Sequence, residues 1–247
     1  MTTTSRKIPK NLENPLDDIL IDICGATSTF YKKSNFTPNG ITTLSLIFGV
    51  FAILLLYKDY LLPSIVCYII SYFYDVLDGF YARKYDMCTK FGDVYEHIKD
   101  WTINITYIIV IYKKYKHTLS TLEIVLVSIY FSFLLSMQLI FFAAQERYYG
   151  KPEDIPSLGW LAKFIRTKEQ AIKTLKWVRY FGCASFILSI CIDAYDKIFH
   201  FKLPFLLTIF NLSNTGFPDK SILKREQPTI FKLLLKTTPV IGDRGTG

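Results

Sequence analysis

Six stretches of this chain are apolar for about the length of a membrane span, which strongly limits the folds it can adopt. They cover about residues 41–57, 60–82, 92–112, 121–144, 179–195 and 198–215. A helix needs roughly 20 apolar residues to cross a hydrocarbon core of ~30 Å. The first stretch is apolar on every face, unlike a helix at the surface of a soluble protein. We therefore predict an all-α, polytopic membrane protein with about six transmembrane helices. The alternative is a soluble helical bundle with a large core.

Composition and charge agree with a membrane protein. Of the 247 residues, 51% are hydrophobic, and the mean hydropathy is +0.25. With a cytoplasmic amino terminus, 22 of the 29 lysines and arginines fall in inner segments and six in outer loops, as the positive-inside tendency predicts. The net charge of +8 then reflects membrane orientation and attraction to anionic lipid. The basic residues are spread over loops without a nucleic-acid-binding motif, which argues against a nucleic-acid partner.

The segment before the first span has two parts. Residues 1–13 are polar and are predicted to be loosely ordered. From Asn14 onward, apolar and acidic residues fall on opposite faces of a helix. The apolar face has Leu16, Ile19, Leu20 and Ile23, and the acidic face has Asp17, Asp18 and Asp22. This pattern predicts a short amphipathic helix that lies in the membrane interface, or one that packs on the membrane domain.

Acidic and small residues recur at helical spacing between residues 75 and 100, beside two of the apolar stretches. The stripes consist of Asp75, Asp78, Gly79 and Ala82, and then of Gly92, Glu96 and Asp100. Residues three or four positions apart share one helix face. Carboxylates near a bilayer are costly unless they pair, bind metal or serve a reaction. Two such stripes facing each other predict a cage for hard divalent cations.

This stretch resembles the signature of the CDP-alcohol phosphotransferase (CDP-alcohol phosphatidyltransferase) family, Asp-x2-Asp-Gly-x2-Ala-Arg-x8-Gly-x3-Asp-x3-Asp. Seven of the eight fixed positions match, namely Asp75, Asp78, Gly79, Ala82, Arg83, Gly92 and Asp100. At the eighth position, Glu96 replaces the third aspartate. The segment from Pro38 to Thr42 is similar to the Pro-Asn-x-x-Thr opening of the family's first spanning helix.

The resemblance implies an enzyme of phospholipid biosynthesis that transfers a substituted phosphate group from a CDP-linked donor to an alcohol acceptor and releases CMP. It implies two ions of Mg²⁺ or Mn²⁺, held by Asp75, Asp78, Glu96 and Asp100, with Asp100 also acting as the catalytic base. It implies substrate binding by Gly79, Ala82, Arg83, Thr89, Asn39 and Thr42. Family members are commonly homodimers, so a homodimer is a further expectation.

The apolar stretches and the distribution of lysines and arginines also predict an arrangement of domains. Residues 1–40 would form a cytoplasmic amino-terminal segment, residues 41–216 the six-helix transmembrane catalytic domain, and residues 217–247 a basic cytoplasmic tail. The protein would be an integral, multi-pass membrane protein whose active site lies on the cytoplasmic side.

Three points leave alternatives open. The Glu96 carboxylate sits one methylene further out than an aspartate would, on the order of 1–1.5 Å, so a catalytically impaired member that binds nucleotide or lipid without turnover is the alternative. A transporter or channel is a third class, but it gives the glycine, alanine and arginine positions no role. His97 is similar to the histidine of choline and ethanolamine phosphotransferases, which favours an aminoalcohol-type donor with diacylglycerol as acceptor, and it equally fits an ordinary helix contact.

Lys99 lies about 100° around the helix from Asp100 and is expected to point away from the cage to the surface.

Overall fold

The computed structural model describes residues 5–117, 120–150 and 158–199. Within these ranges the chain forms seven α-helices and no strand, which confirms the all-α class. The helices are α1 (Pro15–Lys33), α2 (Pro38–Tyr57), α3 (Leu61–Lys84), α4 (Lys90–Tyr115), α5 (Thr121–Tyr149), α6 (Lys168–Val178) and α7 (Cys183–Phe199). Short 3₁₀ helices at Lys10–Leu12, Gly159–Phe164 and Arg179–Phe181 lie in the connections.

Four segments are long and apolar enough to cross a membrane. They are Pro38–Tyr57, Leu61–Lys84, Thr121–Tyr149 and Lys168–Ile192. Helix α4 has 26 residues, which is long enough to span, but its first half is charged. The stretch predicted at 198–215 lies, from residue 200 onward, outside the described residues. The membrane class is therefore confirmed, and the count of six spans stays a prediction.

Large apolar side chains cover the outer surfaces of these helices. Phe51 on α2, Val66 on α3 and Ile129 on α5 are each more than half exposed. Apolar patches of this extent are not left open to water in soluble proteins. They suit helices whose outer faces contact lipid, and they argue against the soluble bundle.

Helices α2 and α4 begin where local capping chemistry predicts. Thr37 caps α2 by accepting a hydrogen bond from the Gly40 amide, and Pro38 follows as the first helical residue. Thr89 caps α4 in the same way through the Gly92 amide. Such caps satisfy amides that have no partner within the helix. The predicted helix start at Pro38 is confirmed, and it lies near the predicted domain boundary at residue 40.

Helix α1 is longer than the short helix predicted and lies against α3. Its acidic face is turned toward protein, because Asp17 accepts a hydrogen bond from the Tyr72 hydroxyl of α3 and Asp18 pairs with Arg6 at 2.7 Å. Its apolar face is turned outward, with Ile19 58% exposed. This orientation would be unfavourable in water and suits a helix whose outer face meets lipid.

The prediction that residues 1–13 are loosely ordered is wrong for the part that the structure describes. Ile8 and Leu12 are buried in one apolar cluster with Phe141 of α5 and Leu175 of α6. These contacts hold the segment across the end of α5. Periodicity could not predict these contacts, because the two apolar residues are isolated among polar ones.

Helices α2, α3 and α4 form the centre that positions the site. Gly49 of α2 faces Ile103 of α4 so closely that a Cβ at this position would lie 2.9 Å from the Ile103 Cγ2 atom. Tyr68 of α3 and Tyr107 of α4 stack with ring centroids 4.2 Å apart. The close approach of the three helices fixes the register in which the two acidic stripes meet.

Candidate active site

Three carboxylates from two helices converge at one end of this centre. Asp75 and Asp78 come from α3 and Glu96 from α4, and one ligand oxygen from each lies within 4.8 Å of the other two. Two oxygens on opposite sides of a Mg²⁺ ion would be about 4.2 Å apart, so small side-chain movements would allow shared coordination. The predicted stripes therefore do face each other, and the longer Glu96 side chain reaches the same point.

Asp78 lacks the partners that a buried carboxylate needs. Its residue is 2% exposed, and neither carboxylate oxygen has a hydrogen-bond partner within the described part of the chain. A buried charge is costly unless it is paired or coordinates a metal. A divalent cation beside Asp75 and Glu96 would supply that partner, so the residues present fit a metal site.

The expectation for Lys99 is wrong. Lys99 is 4% exposed, and its ammonium lies 2.5 Å from Asp100 Oδ1, contacts Asp75 Oδ1, and donates to Ser45 Oγ at 2.9 Å. Helix α4 meets both α2 and α3, so the side of α4 that faces protein is wide enough to include position 99. Asp100, the predicted fourth metal ligand, pairs with Lys99 and is not among the three oxygens that converge.

A small cavity opens beside these carboxylates, and every residue predicted to bind substrate lines it. These residues are Asn39, Thr42, Gly79, Ala82, Arg83 and Thr89. Asp78 and Glu96 also line the cavity, so the cation cluster and the substrate residues form one site. Residues predicted separately from the helix opening and from the acidic motif are thus brought together.

Glycines allow two close approaches in this site. A Cβ at Gly92 would lie 3.0 Å from both Asn39 Oδ1 and Thr89 Oγ1, and a Cβ at Gly79 would lie 3.1 Å from Arg83 Nη1. The first approach lets the start of α4 sit against the start of α2. The second lets the Arg83 guanidinium fold back along α3 beside the cavity.

The sequence reasoning missed part of the cavity wall. Lys7 and Tyr149 line the cavity, and Lys7 Nζ lies 3.1 Å from Glu146 Oε1 on α5. Arg83 Nε donates to the Ser5 carbonyl oxygen at 2.9 Å. The amino-terminal segment therefore borders the site and adds a second basic side chain to it. The basic residues ahead of the first helix were the only signal, and they have no periodicity.

Two carboxyl groups near this segment have raised pKa values. Burial raises the pKa of Glu13 to about 7, and the neighbouring Asp17 charge adds to the rise. Burial also raises the pKa of Asp17 to about 6, against the lowering effect of the hydrogen bond from Tyr72. Both groups lie outside the cation cluster, and Asp17 joins α1 to α3 through the Tyr72 hydroxyl.

Comparison with known proteins identifies the family of the chain. The sequence model of the CDP-alcohol phosphatidyltransferase family matches residues 35–164, which is more than half of the chain and includes every predicted site residue. The chain belongs to this family. Neither the curated proteins nor the solved structures contain a significant match to the chain.

Family membership defines the general role of the chain. It belongs to the transferases of phospholipid biosynthesis, which use CDP-alcohol substrates in a lipid environment and generally depend on divalent metal ions. The four apolar segments agree with an integral membrane protein. The three converging carboxylates provide ligands of the type that divalent ions need.

Proposed function

We propose that the chain catalyses metal-dependent transfer of a substituted phosphate group from a CDP-linked donor to an alcohol acceptor, with release of CMP. The main support is the buried, unpartnered Asp78 carboxylate beside Asp75 and Glu96, in a cavity that Arg83 also lines. Such a site combines a place for a cation with a basic side chain for phosphate. Phosphoryl transfer needs both, because negative charge must be stabilised on the diphosphate as CMP leaves.

The proposed cofactor is Mg²⁺ or Mn²⁺, because these hard cations prefer carboxylate oxygens. Asp75, Asp78 and Glu96 would hold it. When bound, the metal would neutralise the diphosphate and stabilise the charge that develops on the departing phosphate. Mg²⁺ requires near-octahedral geometry at about 2.0–2.1 Å, so the length of Glu96 is expected to affect which metal supports the higher rate.

Asp100 is proposed to act as the general base. The acceptor hydroxyl oxygen forms a bond to the phosphorus distal to cytidine, and its proton passes to the Asp100 carboxylate. The bond between that phosphorus and the bridging oxygen breaks, and CMP leaves with the electron pair. The Lys99 ammonium, 2.5 Å from Asp100 Oδ1, holds this carboxylate in one orientation.

The other predicted residues are proposed to position the donor. Arg83 would contact the phosphates, because this basic residue lines the same cavity as Asp78. Asn39, Thr42 and Thr89 would line the nucleotide, and the small residues Gly79 and Ala82 would let it approach the backbone of α3. Orientation of this kind accounts for a large part of the rate in reactions that need little covalent help.

We infer CDP-choline or CDP-ethanolamine with diacylglycerol as the first substrate pair to test. His97 lines the cavity, and its Nδ1 lies 2.7 Å from the Asp93 carbonyl oxygen. This histidine is the feature that the chain shares with choline and ethanolamine phosphotransferases. CDP-diacylglycerol with inositol, glycerol 3-phosphate or serine is the competing set.

The test is CMP release by the purified protein in lipid–detergent micelles, with each donor and acceptor, in Mg²⁺, in Mn²⁺ and in EDTA. Asp78→Asn should abolish metal-dependent turnover. Asp59→Asn is the matched control, because Asp59 pairs with Lys114 at the far end of α4 and should leave turnover unchanged. Full activity in Asp78→Asn would remove the proposed metal site.

Glu96→Asp separates an active enzyme from an impaired one. If the native protein is inactive with every pair and Glu96→Asp restores CMP release, the chain is a degenerate enzyme. If both are inactive and CDP still binds, the chain is a binding protein.

We also propose that the site faces the cytoplasm and that residues 41–216 form the catalytic domain between the amino-terminal segment and the basic tail. Cys88 tests the orientation, because it is exposed and lines the cavity. A membrane-impermeant maleimide should label it in inside-out vesicles and not in right-side-out ones.

A homodimer is proposed from family membership alone and can be tested by single-particle mass measurement in micelles.

A further inference from the structure

Lys99 is a cation built into the acidic site, and its position has a consequence for metal binding. An ammonium group has three hydrogens to donate. The Lys99 ammonium has three oxygen neighbours, which are Asp75 Oδ1, Asp100 Oδ1 and Ser45 Oγ. The side chain is buried, and these three contacts hold the ammonium in one place.

The partners of Lys99 come from three helices. Ser45 lies on α2, Asp75 on α3, and Asp100 beside Lys99 on α4. The ammonium therefore lies where carboxylates of α3 and α4 face each other. A second divalent ion shared by Asp75 and Asp100 would need this same region.

The remaining carboxylates form a separate place for an ion. The oxygens of Asp75, Asp78 and Glu96 converge without Asp100, and Asp78 has no other partner within the described part of the chain. Asp75 belongs both to these three carboxylates and to the contacts of Lys99. The Lys99 ammonium and the ion would therefore both contact the Asp75 carboxylate. The four carboxylates would thus be shared between one divalent ion and one lysine.

We propose that the Lys99 ammonium takes the second cation position of this site, so that the chain binds one divalent ion where the family resemblance predicts two. This rests on the proposed metal site at Asp75, Asp78 and Glu96. Lys99 is then a positioning residue that fixes Asp100 for proton transfer, a function that a second ion would otherwise perform. Arg83 and Lys7, which line the cavity, remain for the phosphates.

The test is the number of Mn²⁺ ions bound per chain, measured by equilibrium dialysis of the purified protein in uncharged detergent micelles. Asp78→Asn gives the background, because it should bind no ion at the site. The native protein should bind one ion above this background. Lys99→Met keeps the length of the side chain without its charge and should bind two.

Electron paramagnetic resonance gives a second readout that needs no variant. Ions that share a two-metal site lie about 3.5–4 Å apart, and two Mn²⁺ ions at that distance give a spin-coupled spectrum. The native protein should give the spectrum of an isolated ion. This measurement decides the question even if Lys99→Met does not fold.

The outcomes separate this inference from the proposed function. Two coupled ions in the native protein, or one ion in a folded Lys99→Met variant, would overturn the role of Lys99 and leave the metal-dependent enzyme standing. No ion in the native protein would overturn both. One isolated ion in the native protein and two in Lys99→Met would support both.

Discussion

Replacing Asp78 by asparagine should stabilise the metal-free protein, although it removes a residue of the site. In the native protein the oxygens of Asp78, Asp75 and Glu96 lie within 4.8 Å of one another. Two full charges at that distance repel by about 3.5 kcal/mol at an effective dielectric constant of ~20. We expect a gain of about 1–3 kcal/mol, similar to the cost of one unsatisfied buried group.

Metal should reverse the order of stability. A ligand at 100 times its dissociation constant stabilises the folded state by about 2.7 kcal/mol. The native protein should gain this in saturating Mn²⁺, and Asp78→Asn should gain almost nothing. For a chain of this size 1 kcal/mol shifts the unfolding midpoint by roughly 2–4 °C. The variant should therefore unfold about 2–12 °C above the native protein in EDTA and at or below it in Mn²⁺.

Thermal unfolding in detergent micelles, at one fixed heating rate, measures both effects, because a midpoint depends on that rate when unfolding is irreversible. Glu146→Gln is the matched control, since Glu146 is also buried but has a partner in Lys7 at 3.1 Å. It should lower the midpoint with and without metal. If Asp78→Asn lowers the midpoint in EDTA, or if Mn²⁺ raises both proteins equally, Asp78 is not an unpaired ligand of a cation site.

Three further predictions follow from other contacts. Gly49→Ala would put a methyl group 2.9 Å from Ile103 Cγ2, so overpacking that costs about 1–3 kcal/mol should lower the unfolding midpoint. An equal fall of the midpoint when Gly49→Ala is made in an Ile103→Ala background would contradict this explanation. Burial raises the pKa of Glu13 from 4.5 to about 7, so the folded protein favours the protonated carboxyl. The free energy of unfolding should therefore be highest below about pH 4.5 and should fall by up to about 3 kcal/mol as the pH rises through about 7. Glu13→Gln should flatten that part of a pH series of unfolding midpoints, and an unchanged slope would exclude Glu13 as its source. Asp100→Asn should lower kcat for CMP release by about 10²–10⁴ with Mn²⁺ binding retained, whereas loss of the ion would make Asp100 a required ligand.

Local patterns predicted the metal end of the site. Asp75 and Asp78 are three positions apart on one helix, and Glu96 and Asp100 are four positions apart on the next. These relations depend on helix period alone, so the sequence shows them without any knowledge of the tertiary structure. The convergence of Glu96 with the two aspartates needed one further assumption, that the two helices face each other across a short connection.

Lys99 could not be predicted in this way. Helix period gives its angle from Asp100 but does not say how wide the buried side of α4 is. More than one helix lies against α4, and the Ser45 hydroxyl of α2 provides the third acceptor for the ammonium. A lysine at the edge of an acidic stripe is thus drawn inward by oxygens that come from elsewhere in the chain.

Part of the cavity wall comes from a segment of the chain that precedes the family match, unlike the metal end of the cavity. The family match begins at residue 35, yet Lys7 lines the cavity and the Ser5 carbonyl accepts a hydrogen bond from Arg83. These contacts depend on Ile8 and Leu12 being buried against α5 and α6, which are more than 120 positions later in the sequence. The family signature therefore describes the residues that would hold the ion, and the amino-terminal segment completes the space in which the donor's phosphates would lie. A truncation that removes this segment would leave all three converging carboxylates in place and open the cavity beside them.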